Sequence, residues 1–275
     1  MTGSSIPGSD TVFAGSIPAF YERYMVPLIF EPYAAIVADR LKGRPLSSLL
    51  EIACGTGVVT RALASALPST VEIIATDLNQ AMLDHAATLP ISRPVEWRQA
   101  DATVLPFEDE SFDAVVCQFA VMFIPDKAKV LSEARRVLRP GGVFVFDVWG
   151  PIEENEFADV ITTALESVFP DNPPRFLART PHGYYDTRVI QADLRQAGFT
   201  KKPLIETIDA RSRASSPRIP AIAYCQGTPL KTEIEARNRS LLDEATKIAA
   251  EAIATRFGQG PVDGKIQAHL ITIER

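Results

Sequence analysis

The sequence predicts an α/β protein built on a doubly wound parallel sheet, and three observations carry that prediction. Short apolar runs alternate with helical segments from Ser48 to Val148. Most of these runs are apolar on both faces, as strands covered by helices on both sides must be. The first run ends in Gly55 and Gly57, which suit a tight turn from strand to helix. Right-handed crossovers then place helices on both sides of the sheet.

Residues 1–12 are rich in Gly, Ser and Thr and are expected to be mobile. From Pro18 to Lys42, Phe20, Tyr24 and Leu28 recur at helical spacing; Pro27 is expected to break this helix and Pro32 to open a second, up to Leu41. Ser48–Ala53 reads as a strand, Val58–Leu67 as a helix, Val71–Thr76 as a strand and Gln80–Thr88 as a helix. Val95–Gln99 and Phe112–Cys117 follow as strands. Lys127–Leu138 is an amphipathic helix stopped by Pro140, Gly141 and Gly142, and Val143–Val148 reads as a fully apolar fifth strand. Further helices are expected over Phe157–Phe169 and Asp186–Ala197, with a sixth strand at Leu204–Asp209. The Pro/Ser/Arg stretch Arg211–Pro220 breaks the pattern; Thr232–Phe257 reads as one helix and Lys265–Ile273 as a last strand.

At 275 residues the chain is long for one domain and short for two, against roughly 150 residues per domain. Hydrophobic content of 46% and charged content of 23% exclude wholesale disorder. The net charge of −6 carries no overall footprint for nucleic acid or an anionic membrane. Cys54, Cys117 and Cys225 lack paired spacing, and no charged leader or membrane-length apolar run is visible, so a cytoplasmic protein with no membrane span is expected.

The chemistry concentrates at strand ends. Glu51-Ile52-Ala53-Cys54-Gly55-Thr56-Gly57 ends the first strand, where a ligand can approach the main chain. A dinucleotide fingerprint would place Gly or Ala at position 60, where Thr60 stands, and a phosphate cradle would want Lys-Ser/Thr where Val58-Val59 stand. Asp77 ends the second strand, placed to accept from ribose hydroxyls, and Asp101 follows the third, placed to accept from an adenine amino group. Glu51, Asp77 and Asp101 thus converge on one crevice, and three acids suit a cationic nucleoside better than a pyrophosphate. His85, His182 and His269 lack metal-ligand spacing, so no metal is expected. Asn172-Pro173-Pro174 is followed by Arg175, not an aromatic, and follows the fifth strand, which argues against a DNA amino-methylating site. The loop carrying His182, Tyr184, Tyr185 and Asp186 is the one cluster of candidate bases outside the core; none of them is assigned a catalytic role.

These residues resemble the motifs of class I S-adenosylmethionine-dependent methyltransferases, in the ubiquinone/menaquinone-biosynthesis-like small-molecule branch. The resemblance rests on Glu51–Gly57; on Ala75-Thr76-Asp77-Leu78-Asn79 with Met82-Leu83; on Gln99-Ala100-Asp101-Ala102, Leu105-Pro106-Phe107 and Ser111-Phe112-Asp113; and on Arg136–Gly142. It is close over residues 46–149. It implies a Rossmann-like seven-stranded sheet with an antiparallel last strand, and S-adenosylmethionine as cofactor, leaving S-adenosylhomocysteine. Ala53, Gly55 and Gly57 would then pack against methionine and ribose, Glu51 would support the amino-acid end, and Asp77 would hold the ribose. Leu78 and Met82 would flank the adenine, Asp101 and Ala102 would read its edge, and Gln118 and Phe119 would border the methyl group. Phe123 would line the acceptor pocket, and Tyr21 and Tyr24 would close over the site, core packing being the competing reading for these tyrosines. The implied partner is a small-molecule acceptor, with a homodimer left open. Residues 1–42 form an N-terminal helical segment and residues 43–275 the methyltransferase domain, in which 210–264 is a cap inserted between the last two strands. A dinucleotide-dependent oxidoreductase and a non-catalytic cofactor-binding module stay open as other readings.

Overall fold

A computed structural model describes residues 17–275, so the segment 1–12 lies outside the described residues. The chain is helical from the start of this range: α1 (Ile17–Phe20), a π-helical stretch Tyr21–Phe30, then α2 (Glu31–Leu41). Pro27 therefore does not break the helix. It lies inside the π-helical stretch, whose wider turns relieve the clash that a proline ring makes with a carbonyl in α-helical geometry.

The strands are β1 (Ser48–Ile52), β2 (Glu72–Asp77), β3 (Glu96–Gln99), β4 (Phe112–Gln118), β5 (Leu138–Trp149), β6 (Leu204–Ala214) and β7 (Val262–Glu274). They form a seven-stranded sheet in the order β3-β2-β1-β4-β5-β7-β6. β1 pairs in parallel with β2 on one side and β4 on the other, β4 pairs in parallel with β5, and β7 runs antiparallel to β5. The chain thus proceeds outward from β1 through β2 to β3, returns to the opposite flank of β1 as β4, and reverses the winding there. That reversal opens a crevice between the carboxyl ends of β1 and β4.

The chain divides into two units. One comprises Glu31–Trp149, Tyr184–Ile208 and Ala268–Arg275; the other comprises residues 17–30, Gly150–Gly183 and Asp209–Gln267. In the first, Leu49, Val116 and Val145 of the sheet share a buried cluster with Ala34, Val37 and Leu41 of α2 and with Val59 and Leu63 of α3 (Val58–Ala66). Helices α4 (Gln80–Thr88), α5 (Lys127–Val137) and α8 (Thr187–Gln196) complete it, α5 and α8 capped by the side chains of Asp126 and Asp186. Ser111-Phe112-Asp113 has a structural task here: Asp113 accepts from the Ser47 and Ser48 amides and from Arg139, which holds its carboxyl well below the usual carboxylate range despite partial burial.

The second unit is mostly helical, with α6 (Glu156–Val168), α7 (Phe176–Arg179), α9 (Arg218–Gln226), α10 (Leu230–Asn238) and α11 (Leu242–Phe257). The single helix expected over Thr232–Phe257 is two, because the Asn238 side chain turns back to accept from the Ser240 amide at 3.0 Å. The stretch Arg211–Pro220 is not irregular either: β6 continues to Ala214 and α9 begins at Arg218. Asn172-Pro173-Pro174 belongs to a clasp. Arg237 donates to the Asn172 and Pro173 carbonyls, while Glu233 accepts from the Phe176 amide at the start of α7. Among the described residues no helix is long and apolar enough to cross a membrane.

Candidate functional site

The turn after β1 takes three left-handed residues: Ala53 at φ +54°, Gly55 at +56° and Gly57 at +81°. A non-glycine residue in this region costs about 1–2 kcal/mol, so Ala53 is held there by its surroundings. At Gly57 a side chain is excluded twice, by the backbone angle and by Trp97, whose ring lies 2.8 Å from where a Cβ would stand. Asp77, at the end of β2, braces this loop. Its Oδ2 accepts from the Gly55 amide at 2.9 Å and its Oδ1 from the Asn79 amide at 2.8 Å. Burial raises its carboxyl pKa, opposed by the Asn79 and Gly55 amides.

Glu51 is 1% exposed and its carboxyl is pushed up to about 8 by burial, opposed by the hydrogen bond from Thr60 and the charge of Arg61. At neutral pH it is therefore mostly protonated. Thr60, at the position where a dinucleotide fingerprint has Gly or Ala, donates its hydroxyl to Glu51 at 2.6 Å. The three acids of the sequence thus do not present three equal charges. Glu51 is neutral and internal, Asp77 is buried against the loop, and Asp101 is the exposed one, its Oδ1 accepting from the Thr103 amide and hydroxyl. Next to Asp77, Leu78 stands 51% exposed while Met82 on α4 is buried; Ala102 is half-buried beside Asp101.

The other lip of the crevice is the end of β4. Gln118 is half-buried, and Phe119 leaves the sheet at φ +49°, with its ring stacked on Trp149 at a centroid distance of 3.7 Å and an interplanar angle of 2°. Tyr33 meets both rings edge-on, at 5.2 Å and 5.5 Å, and donates its hydroxyl to the Ile208 carbonyl. Beneath Phe119 lies Asp147, which pairs with Gln118 in the β4–β5 ladder. Sequence reasoning missed Tyr33, Trp149 and Asp147. The fifth strand is not fully apolar: Asp147 interrupts Val143–Val148, and an acid inside a doubly buried strand was the signal that could have found it.

Eleven of the twelve cofactor residues named from the sequence, Glu51 through Phe119, fall in the first unit at or just beyond the ends of β1–β4; Tyr24 falls in the second. There Tyr24 packs on Phe20 at 5.6 Å, with the Arg23 guanidinium over its ring, and Tyr21 stacks on Phe30. The loop of candidate bases is dispersed over separate tasks. His182 is buried with Nδ1 2.9 Å from the Gly150 carbonyl, and burial pushes its pKa down to about 4. Tyr184 donates to Asp193 at 2.6 Å beneath the Lys127 ammonium, and Asp186 caps α8.

A family model described as a methyltransferase domain matches residues 50–146. A ubiquinone/menaquinone biosynthesis C-methyltransferase of Burkholderia mallei is 32% identical over 166 residues, spanning 57% of this chain and 68% of that protein. The chain belongs to the class I S-adenosylmethionine-dependent methyltransferases. A demethylmenaquinone methyltransferase of Lactobacillus johnsonii is 37% identical over 107 residues, 38% of this chain and 44% of that one. The chain thus spans about two-thirds of the length of some curated relatives it matches and less than half of others. The crystal structure of a putative methyltransferase from Bacillus halodurans shares the fold, with a TM-score of 0.55 and 19% identity over 88% of this chain and 97% of that one. The family's cofactor is S-adenosylmethionine, and the crevice offers it a half-buried Gly55 backbone after β1, the carboxylate of Asp77 at the end of β2, and the exposed apolar Leu78 beside it. Nothing in the family or the fold supports the oxidoreductase alternative.

Proposed function

We propose that this chain transfers the methyl group of S-adenosylmethionine to a small, ring-bearing acceptor by in-line displacement. The observation that carries the reading is the carboxylate of Asp77 at the end of β2, which holds the Gly55 amide of the loop after β1, the strand from which the order reverses. Gly55 and Gly57, with Ala53, would let the cofactor approach the main chain, and Asp77 would accept from the ribose hydroxyls. Leu78 and Met82 would flank the adenine, Asp101 and Ala102 would read its edge, and Glu51 would support the loop from below as a neutral acid. When bound, the cofactor supplies a methyl group on a positively charged sulfur, already electrophilic. The chain's task is then to align the acceptor and exclude water.

Gln118 is placed to do this at the β4 end, half-buried on the lip that the buried group of Phe119, Trp149 and Tyr33 supports, and a ring-bearing acceptor is the class taken here. The names of the curated relatives, which concern quinone biosynthesis, favour the same class. Every residue given a cofactor or acceptor contact here falls within Glu31–Trp149, so the reading requires no second copy of the chain. The buried free thiols of Cys54, Cys117 and Cys225 fit a reducing, cytoplasmic setting. Turnover of methyl-labelled S-adenosylmethionine against a panel of small phenols, quinols and amines tests the reading. Label transferred to a ring-bearing member supports it; binding of S-adenosylhomocysteine with no transfer to any of them would leave the non-catalytic module in its place.

A further inference from the structure

Asp147 is the one acid in the central run of β5, 1% exposed between Phe146 and Val148, both fully buried. A buried carboxyl is unfavourable unless partners offset its desolvation. Among the described residues Asp147 makes no ion pair, and its Oδ2 has no hydrogen-bond partner. Its Oδ1 has one, the Phe119 amide at 2.8 Å. The same amide already faces the Asp147 main-chain carbonyl at 3.2 Å, so strand pairing alone does not call for an acid here. A leucine would fill the position without an unpaired oxygen. The whole hydrogen bonding of this side chain is thus directed at the one residue of β4's end that sits at a left-handed angle.

We infer that Asp147 is a positioning residue for methyl transfer: its carboxyl holds the Phe119 peptide at the β4 lip of the crevice, and so sets where Gln118 and the Phe119–Trp149 stack stand. A non-glycine residue keeps a positive φ when its surroundings over-determine it. Here the surroundings include Asp147 on the amide and Trp149 and Tyr33 on the ring. Without the side-chain acceptor, Phe119 relaxes toward an ordinary extended angle, which swings its Cβ and carries the ring off Trp149. The lip moves while the glycine loop and Asp77, on the other side of β1, keep their own hydrogen bonds. The consequence falls on alignment, where a displacement of about 1 Å costs up to roughly 10²-fold in rate. It does not fall on cofactor binding. The inference rests on the function proposed above.

The test compares Asp147→Leu and Asp147→Asn with the parent by thermal unfolding, S-adenosylhomocysteine calorimetry, steady-state kinetics and crystallography. Asp147→Leu is expected to melt at or above the parent, because an unpaired buried carboxyl is gone, and to bind S-adenosylhomocysteine with parent-like affinity. Its kcat is expected to fall by about tenfold to a hundredfold, with Phe119 at negative φ in its crystal structure. Asp147→Asn keeps an acceptor at the Oδ1 position and is expected to recover most of that rate with Phe119 at positive φ. Parent-like kcat in Asp147→Leu would overturn the proposal, as would failure of that variant to fold, or a rate loss that Asp147→Asn does not recover. If the parent itself neither binds S-adenosylhomocysteine nor transfers methyl, the functional reading fails. The Phe119 angle and the melting points then still decide the positioning claim.

Discussion

Replacing Glu51 by Gln isolates the titration of one buried acid. Glu51 moves from an ordinary value of 4.5 to about 8 in the folded chain, chiefly through burial. Below pH 4.5 both folded and unfolded states hold the proton, and above about pH 8 neither does. Between these limits the folded state keeps a proton that the unfolded state has released, so stability falls as pH rises, by about 1.4 kcal/mol per pH unit. Accumulated from the unfolded value to a mildly alkaline buffer, the loss is on the order of 4 kcal/mol. Glutamine never ionises and can still accept from Thr60 through its amide oxygen. Glu51→Gln should therefore match the parent to within about 1 kcal/mol in mild acid and exceed it by several kcal/mol at pH 7.5. Urea unfolding of both proteins between about pH 5 and pH 8 measures this, since midpoint and slope give the free energy at each pH. Asp147, also raised by burial, is common to both proteins and cancels in the difference curve, whereas the Asp77 charge contributes to the Glu51 shift and so belongs to the difference measured. A difference that does not grow with pH, or a Glu51→Gln protein less stable than the parent at pH 7.5, would refute the assignment of a neutral Glu51.

Two further substitutions test the loop that Glu51 supports. Asp77→Ala removes the acceptor of the Gly55 and Asn79 amides and the proposed ribose contact; calorimetry should show S-adenosylhomocysteine weakened by about 1.5–3 kcal/mol, and an unchanged affinity would displace Asp77 from the site. Gly57→Ala forces a Cβ to 2.8 Å from the Trp97 ring at a left-handed angle, so about 2–4 kcal/mol of stability should be lost in urea unfolding. Adding Trp97→Leu should recover the contact part of that loss and leave the backbone part. No recovery would mean that the close approach to Trp97 is not limiting.

The sheet was legible because its central strands β1, β4 and β5 are largely apolar on both faces, and because β1 and β2 end in residues with few alternatives, glycines after β1 and Asp77 on β2. Pro27 misled because a proline penalty assumes α-helical turns, and the chain widens to a π-helical stretch instead. Helix α9 was hidden by Pro217 and Pro220, which read as breakers. They stand at the N-cap and in the first turn, where the missing amide has no helical partner to lose. The glycine loop and Asp77 could be placed at the ends of β1 and β2 from sequence alone because the apolar runs stop there. Whether an acid is charged could not, because that depends on burial and on partners such as Thr60, nine residues from Glu51. The aromatic group of Tyr33, Phe119 and Trp149 draws on three distant segments, and no single stretch of sequence announces it.

Calorimetric titration of the chain with S-adenosylhomocysteine and, separately, with NAD decides whether the crevice between β1 and β4 takes S-adenosylmethionine. S-adenosylhomocysteine is expected to bind at one molecule per chain, and NAD to give no heat of binding. Saturable binding of NAD with S-adenosylhomocysteine silent would contradict it.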